Sequence, residues 1–243
     1  MTWTVLPLEH ACELITDGTH FSPPTNARGD FLYITSKNIR TGRMDLKDIS
    51  YVTADAHAEI YKGCPVMKGD VLFVKDGVNT GTAAINELEQ PFSMLSSVAL
   101  LRPQHDKLDA SYLMHWLNSP HGQGQMLRNM SGAAIKRLVL RQIRASEIPL
   151  PSLPKQRRIA AILDAADALR QKRRQALHLL DQLAQSMFTE MFGDPVTNSK
   201  RWDESHTLSD YAEIASGVTK GRRLNGTTTR EVPYLAVPDY APC

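Results

Sequence analysis

The feature that most constrains the fold is a stretch of 38 residues without glycine or proline, which runs from Lys155 to Phe192. Pro154 stands just before this stretch, and Gly193 and Pro195 follow it. Proline is favoured in the first turn of a helix, and glycine followed by proline is typical of a helix end. The stretch therefore predicts a single helix, roughly 57 Å long at 1.5 Å per residue, which one small core cannot cover.

Apolar residues recur along this helix every seven positions. The two series are Ile162, Leu169, Ala176 and Leu183, and Ile159, Ala166, Leu180 and Met187, with Arg173 interrupting the second. A narrow sevenfold stripe is typical of a coiled coil, in which a second helix covers the seam. A long helix lying along its own domain is the alternative interpretation.

The chain before the helix mixes strand and helix signals. Short β-branched and aromatic runs bounded by turn residues predict strands at 31–35, 71–74, 82–85 and 97–101. Asp109 is expected to cap a helix in which Tyr112, Leu113, Trp116 and Leu117 share one face. Three prolines between Ile148 and Pro154 predict an extended connector rather than a helix. The expected fold class is α+β.

A weak internal repeat links the two ends of the chain. Leu8, Glu13 and Thr19 recur as Leu208, Glu213 and Thr219, each 200 residues later. The pair Tyr33-Ile34 similarly recurs as Tyr234-Leu235. The order and position of these matches predict that a second copy of the first domain begins after the helix.

Charge is unevenly distributed, although the net charge is only +2. Residues 128–174 hold 12 Lys and Arg against 3 Asp and Glu, whereas the segments on both sides are mildly acidic. A basic middle segment indicates a polyanion or an acidic protein as partner, with a solvated helix face as the alternative. The 42% hydrophobic and 22% charged residues exclude wholesale disorder.

The three cysteines form no CxxC pair, so we expect reduced thiols in a cytoplasmic protein. No secretory signal is apparent, and no apolar run approaches the ~18 residues that a membrane span needs.

Catalytic motifs are not found in the sequence. The glycines of Gly77–Thr82 do not have phosphate-loop spacing, and neither HExxH nor CxxC is present, so no metal site is expected. Ser22–Thr25 only approaches the motif of an adenine methyltransferase, and Asp45–Lys47 matches a nuclease tripeptide that is common by chance. We therefore predict no catalytic residues.

Four segments together resemble the DNA-specificity (S) subunits of type I restriction-modification systems. Asp17–Pro24 (DGTHFSPP) and Gly69–Gly77 (GDVLFVKDG) are similar to loops of that family's recognition domain. Glu147–Ala160 (EIPLPSLPKQRRIA) is the strongest match and looks like the junction between a recognition domain and the family's long helix. Met191–Pro195 (MFGDP) looks like the end of that helix. The resemblance covers about residues 5–243.

The resemblance implies a target-recognition domain over 1–152, a long helix that acts as spacer and assembly element over 153–195, and an incomplete second recognition domain over 196–243. Family members usually carry two recognition domains and two long helices, so this chain has half of that complement. The resemblance also implies a non-catalytic subunit that holds methyltransferase (M) and restriction (R) subunits on a bipartite site in double-stranded DNA. S-adenosylmethionine and ATP would then bind to the partner subunits, and two copies could pair through the long helix.

Residues that read or hold DNA are expected on loops and in the basic segment. Loop candidates for base or phosphate contacts are Thr19, His20, Lys37, Asn38, Arg40, Lys75, Asn79 and Thr80. Candidates for phosphate contacts in a stretch without acids are Lys136, Arg137, Arg141 and Arg144. Two other functions remain open at this point: a stand-alone DNA methyltransferase or nuclease, and a coiled-coil adaptor without a DNA role.

Overall fold

A computed structural model of the chain describes residues 3–77, 79–128, 138–194, 196–203 and 205–213. The chain divides into two compact units, Met1–His178 and Leu179–Cys243. The helices are α1 (Leu8–Ala11), α2 (Ala54–Gly63), α3 (Ala110–Asn118), α4 (Pro120–Arg128), α5 (Leu140–Arg144) and α6 (Leu153–Phe192). The strands are β1 (Thr4–Pro7), β2 (Cys12–Asp17), β3 (Phe31–Ile34), β4 (Ile39–Arg40), β5 (Arg43–Met44), β6 (Ser50–Val52), β7 (Val71–Val74), β8 (Ala83–Ile85), β9 (Ser93–Met94), β10 (Val98–Pro103) and β11 (Glu147–Leu150).

An antiparallel sheet in the order β2-β10-β7-β8 forms the centre of the first unit. Side chains of β7 alternate between its two faces. Val71 and Phe73 pack with α1, α3 and α5, whereas Leu72 and Val74 pack with β3 and the loops beside it. Because both faces are covered, β7 is a continuous apolar run rather than an alternating one.

The second sheet, in the order β6-β3-β9, lies beside this core. β3 pairs antiparallel with β6 and parallel with β9, so its end is held next to the segment that leads into β10. The strands predicted from 31–35, 71–74, 82–85 and 97–101 are thereby confirmed as β3, β7, β8 and β10, with small shifts at their ends.

The proline-rich segment before α6 differs from the prediction. Its first part is a strand, β11, which pairs antiparallel with β1 from the start of the sequence. Pro149 is tolerated because this ladder has only two strands, and the buried Ile148 adds to the core. Only residues after Leu150 connect the strand to the helix.

The long helix α6 has 40 residues, which confirms the predicted helix and extends it by two residues at its start. Its first turns pack on α3. Ala160 is buried there, and Gln156 is 1% exposed. The Gln156 amide accepts from Asp109 N (2.9 Å) and donates to the carbonyls of Lys107 and Pro151 (2.8 Å each). The helix and the preceding domain therefore share a core at this junction.

The second unit is described as far as Glu213. After α6, the Trp202 indole donates to the carbonyl of Phe192 and so satisfies one of the free acceptors at the helix end. Leu208 and Glu213 of the predicted repeat are exposed, whereas Thr219, Tyr234 and Leu235 lie outside the described residues. Of the helices described, none has the length and hydropathy needed to cross a membrane.

Candidate nucleic-acid interface

Most of the predicted DNA-contact residues come from loops that meet at one end of the central sheet. These loops are residues 17–20, 36–40, 75–77 with 79–81, and 94–97, and we call them the loop cluster. Backbone hydrogen bonds hold them together, for example Thr19 N to Met94 O (2.8 Å) and Lys75 N to Ser97 O (3.0 Å). The structure therefore brings together segments that are up to 80 residues apart in sequence.

A buried ion pair lies at the centre of the loop cluster. Lys75 Nζ is 3.0 Å from Asp17 Oδ2, and both side chains are less than 10% exposed. The other Asp17 oxygen contacts Nε2 of His20 at 3.2 Å, while the His20 side chain is 74% exposed. Lys75 was predicted as a DNA contact, and the described geometry argues against this prediction because the Lys75 ammonium is buried and paired with a carboxylate. His20 is the accessible member of the group.

The geometry also argues against Asn38 as a base-reading candidate. The side chain is 1% exposed, and all of its hydrogen-bonding capacity is used. Its Oδ1 accepts from Thr35 N and Thr35 Oγ1, and its Nδ2 donates to the carbonyls of Asp45 and Asp48. Asn38 therefore shapes the loop between β3 and β4 and leaves no group for a base.

Lys37 and Arg40 flank Asn38 and remain accessible. Lys37 Nζ lies 2.9 Å from Asp48, a carboxylate that is 86% exposed, so the pair is a weak surface contact. The Arg40 guanidinium donates a hydrogen bond to the Ile39 carbonyl at 3.2 Å. Its Nε lies 3.9 Å from Oδ2 of Asp45.

Asn79 and Thr80 lie in the turn between β7 and β8. The Asn79 amide donates to the carbonyl of Ser36 at 3.1 Å and so ties this turn to the loop after β3. Thr80 Oγ1 donates to Gly77 O at 2.6 Å, and on the neighbouring loop Thr19 Oγ1 accepts from Phe21 N at 3.3 Å. Each of these hydroxyls is a candidate base contact, while the donor side of Asn79 is structural.

Two glycines allow the loops to approach so closely. A Cβ at Gly18 would lie 2.0 Å from the Met94 carbonyl oxygen. Gly77 has a φ of +100°, which side chains rarely adopt, and its Cβ would meet Ser36 Oγ at 2.9 Å. Sequence reasoning identified Gly77 as a turn residue and quoted Asp17 and Gly18 only as part of a family-like loop. It gave no role to Asp17, Ser36 or Ser97, because only their long-range partners reveal their importance.

Two of the four predicted phosphate contacts in the basic segment lie among the described residues, and they differ in their contacts. Arg141 is exposed on α5 and has no partner among the described residues. Arg144 Nη2 instead donates to the carbonyl of Ile15 at 2.7 Å, so this side chain fastens α5 to β2. Lys136 and Arg137 lie outside the described residues.

The seam residues of α6 are largely uncovered. The large apolar side chains of the seam are 52–69% exposed: Ile162, Leu169, Leu180, Leu183 and Met187. The two seam alanines, Ala166 and Ala176, are also exposed. Ile159 alone packs against the core of the first unit. These exposures argue against a helix that lies along its own domain, because its seam faces solvent.

Two observations on the described residues concern metal binding and thiol chemistry. No group of three His, Cys, Asp or Glu side chains within them has the geometry to hold a metal ion. Burial raises the pKa of Cys12 and of Cys64 to about 12, so neither thiol ionises readily.

Comparison with known proteins identifies relatives of this chain. Two curated specificity subunits align with the chain. That of the type I restriction enzyme EcoBI from Escherichia coli is 25% identical over 187 residues, covering 75% of this chain and 39% of the relative. That of StySPI from Salmonella potsdam is 22% identical over 254 residues, covering 98% of this chain and 54% of the relative.

Solved structures with a similar fold include two subunits of such systems. The HsdS subunit from Thermoanaerobacter tengcongensis has a TM-score of 0.51 at 22% identity, covering 79% of this chain and 45% of that one. The type I restriction-modification S subunit from M. genitalium has a TM-score of 0.55 at 16% identity, covering 82% and 48%. At these identities the likeness shows the fold alone.

The chain spans about half the length of the curated relatives that it matches. Within it, residues 1–179 match the family model described as the type I restriction modification DNA specificity domain. This match includes the loop cluster, the β1–β11 pair and the Gln156 junction. The chain therefore belongs to the type I restriction modification DNA specificity domain family.

Proposed function

We propose that the chain is a sequence-specific DNA-binding specificity subunit, without catalysis of its own, of a type I restriction-modification complex. The observation that carries this proposal is the match of residues 1–179 to the DNA specificity domain. In this function the chain directs methyltransferase and restriction subunits to a bipartite site in double-stranded DNA.

The loop cluster is the surface proposed to read DNA. It presents the His20 ring, the hydroxyls of Thr19 and Thr80 and the cations of Lys37 and Arg40 around a rigid centre. Loops held by a buried ion pair and by backbone hydrogen bonds keep such groups in fixed positions, as base reading requires. Lys75 and Asp17 supply this rigidity rather than contacts to DNA.

The exposed seam of α6 is the surface proposed for assembly. Leaving a row of large apolar side chains in water is unfavourable, and a second helix would cover it. Candidate partners are a methyltransferase subunit and a second copy of this chain, whose pairing would give two recognition domains. S-adenosylmethionine and ATP are proposed to bind to the methyltransferase and restriction subunits.

Fluorescence anisotropy with labelled duplex DNA tests the DNA-binding part of this proposal. We expect affinity to fall steeply with salt, because each phosphate contact contributes ~0.9 to the slope of log K against log salt. Arg141→Ala should lower that slope by about 1, whereas Lys62→Ala on α2 should leave it unchanged.

The same preparations separate the alternatives. A specificity subunit binds DNA without turnover, a stand-alone methyltransferase or nuclease modifies DNA without partners, and an adaptor does neither. Methyl transfer or cleavage by the chain alone, or binding that is insensitive to salt, would contradict the proposal.

A further inference from the structure

The helix α4 lies next to the turn between β7 and β8, which is part of the loop cluster. Gln123 Nε2 donates to the carbonyl of Gly81 at 3.3 Å, and Leu127 Cδ2 approaches the Cβ position of Gly81 to 3.7 Å. α4 packs inward through the buried Gly122 and Met126. Its opposite face, with Gly124 at the middle, therefore borders the surface that presents Thr80.

One of the two glycines of α4 has an evident packing role and the other has none. A Cβ at Gly122 would lie 2.1 Å from the Trp116 carbonyl oxygen, so only glycine fits between α4 and α3. At Gly124 no atom of the described residues lies within 4 Å of the Cβ position. Glycine inside a helix destabilises it relative to alanine, so Gly124 carries a cost that the described contacts do not explain.

The charge of this region suits a polyanion. From Ala110 to Ser146 the chain has five Lys and Arg residues and no Asp or Glu. On α4, Arg128 is exposed and has no partner among the described residues. It lies one helical turn from Gly124, about 6 Å along the axis. Gln123, the amide beside this face, is already bonded to Gly81.

We propose that the outward face of α4 is a further DNA-contact surface, on which a sugar–phosphate strand approaches the helix at Gly124 and contacts Arg128. This inference rests on the DNA-binding function proposed above and extends it beyond the loop cluster. The face offers close approach and one cation but no carboxylate, and Oε1 of the neighbouring Gln125 is buried without a hydrogen-bond partner among the described residues. It therefore positions the duplex and does not read its bases.

Opposite effects on stability and binding test this proposal. Gly124→Ala should raise the melting temperature of the full chain, because alanine favours the helix, and yet weaken DNA binding at least threefold, because the added methyl separates helix and strand. Gly124→Met should weaken binding at least tenfold. Gly63→Ala is the matched control, since Gly63 ends α2 and its Cβ position is also open. It should raise the melting temperature without changing binding.

The probes are a 30-base-pair duplex that carries the motif found by methylation mapping and a scrambled duplex of equal composition. Both should lose affinity equally, and Arg128→Ala should lower the salt slope by about 1 on each. Binding within twofold of the unmodified chain for both Gly124→Met and Arg128→Ala would overturn this proposal alone. Absence of salt-dependent binding by the unmodified chain would overturn the proposed function as well.

Discussion

Replacing Gln156 by methionine should strongly destabilise the first unit. The Gln156 side chain is 1% exposed and bonds three backbone groups, those of Asp109, Lys107 and Pro151. Methionine fills a similar volume but leaves one N–H and two carbonyls without these partners. At about 1–3 kcal/mol for each of the three unsatisfied groups, the free energy of unfolding should fall by about 3–9 kcal/mol. That is a large part of the ~5–15 kcal/mol available to a typical domain.

Urea denaturation followed by circular dichroism measures this loss. Gln175→Met is the matched control, because Gln175 is exposed on the same helix, and it should change the free energy of unfolding by less than about 0.5 kcal/mol. A loss below about 1 kcal/mol for Gln156→Met would refute the reasoning, since it would mean that the junction does not depend on these hydrogen bonds.

Three further changes follow from the described contacts. Gly18→Ala should displace the first loop of the cluster, because its Cβ would lie 2.0 Å from the Met94 oxygen, and abolish specific DNA binding in anisotropy assays. Burial lowers the pKa of His57, so folding should lose stability as pH falls below about 6.5. His57→Asn should reduce that dependence in denaturation curves measured between pH 5 and 8. Leu180→Asp, at a position that is 60% exposed, should leave the unfolding of the first unit unchanged but abolish helix-mediated assembly in light scattering.

The long helix and the central strands could be predicted because their signals are local. The stretch from Lys155 to Phe192 lacks glycine and proline, and Gly193 follows it directly. The segment of β11 was predicted as a connector because its prolines are typical of an extended linker. Its partner strand β1 lies about 140 residues earlier in the chain. Strand pairing over that distance leaves no local pattern.

The candidate site could be predicted at the level of loops but not of side chains. Lys75 is indistinguishable in sequence from a free cation, and only the fold reveals Asp17 at 3.0 Å. Asn38 similarly has the side chain of a base-reading residue, yet the loop that it organises uses both its acceptor and its donors. His20 and Arg141 were predicted from the same reasoning and remain accessible.

Methylation mapping across the genome of a host with and without this gene tests the central claim most directly. If the chain is a specificity subunit, a bipartite motif should be methylated in the host that carries the gene together with its methyltransferase subunit. Methylation of that motif should disappear when this gene alone is deleted. A methylation pattern that is identical with and without the gene would contradict the account.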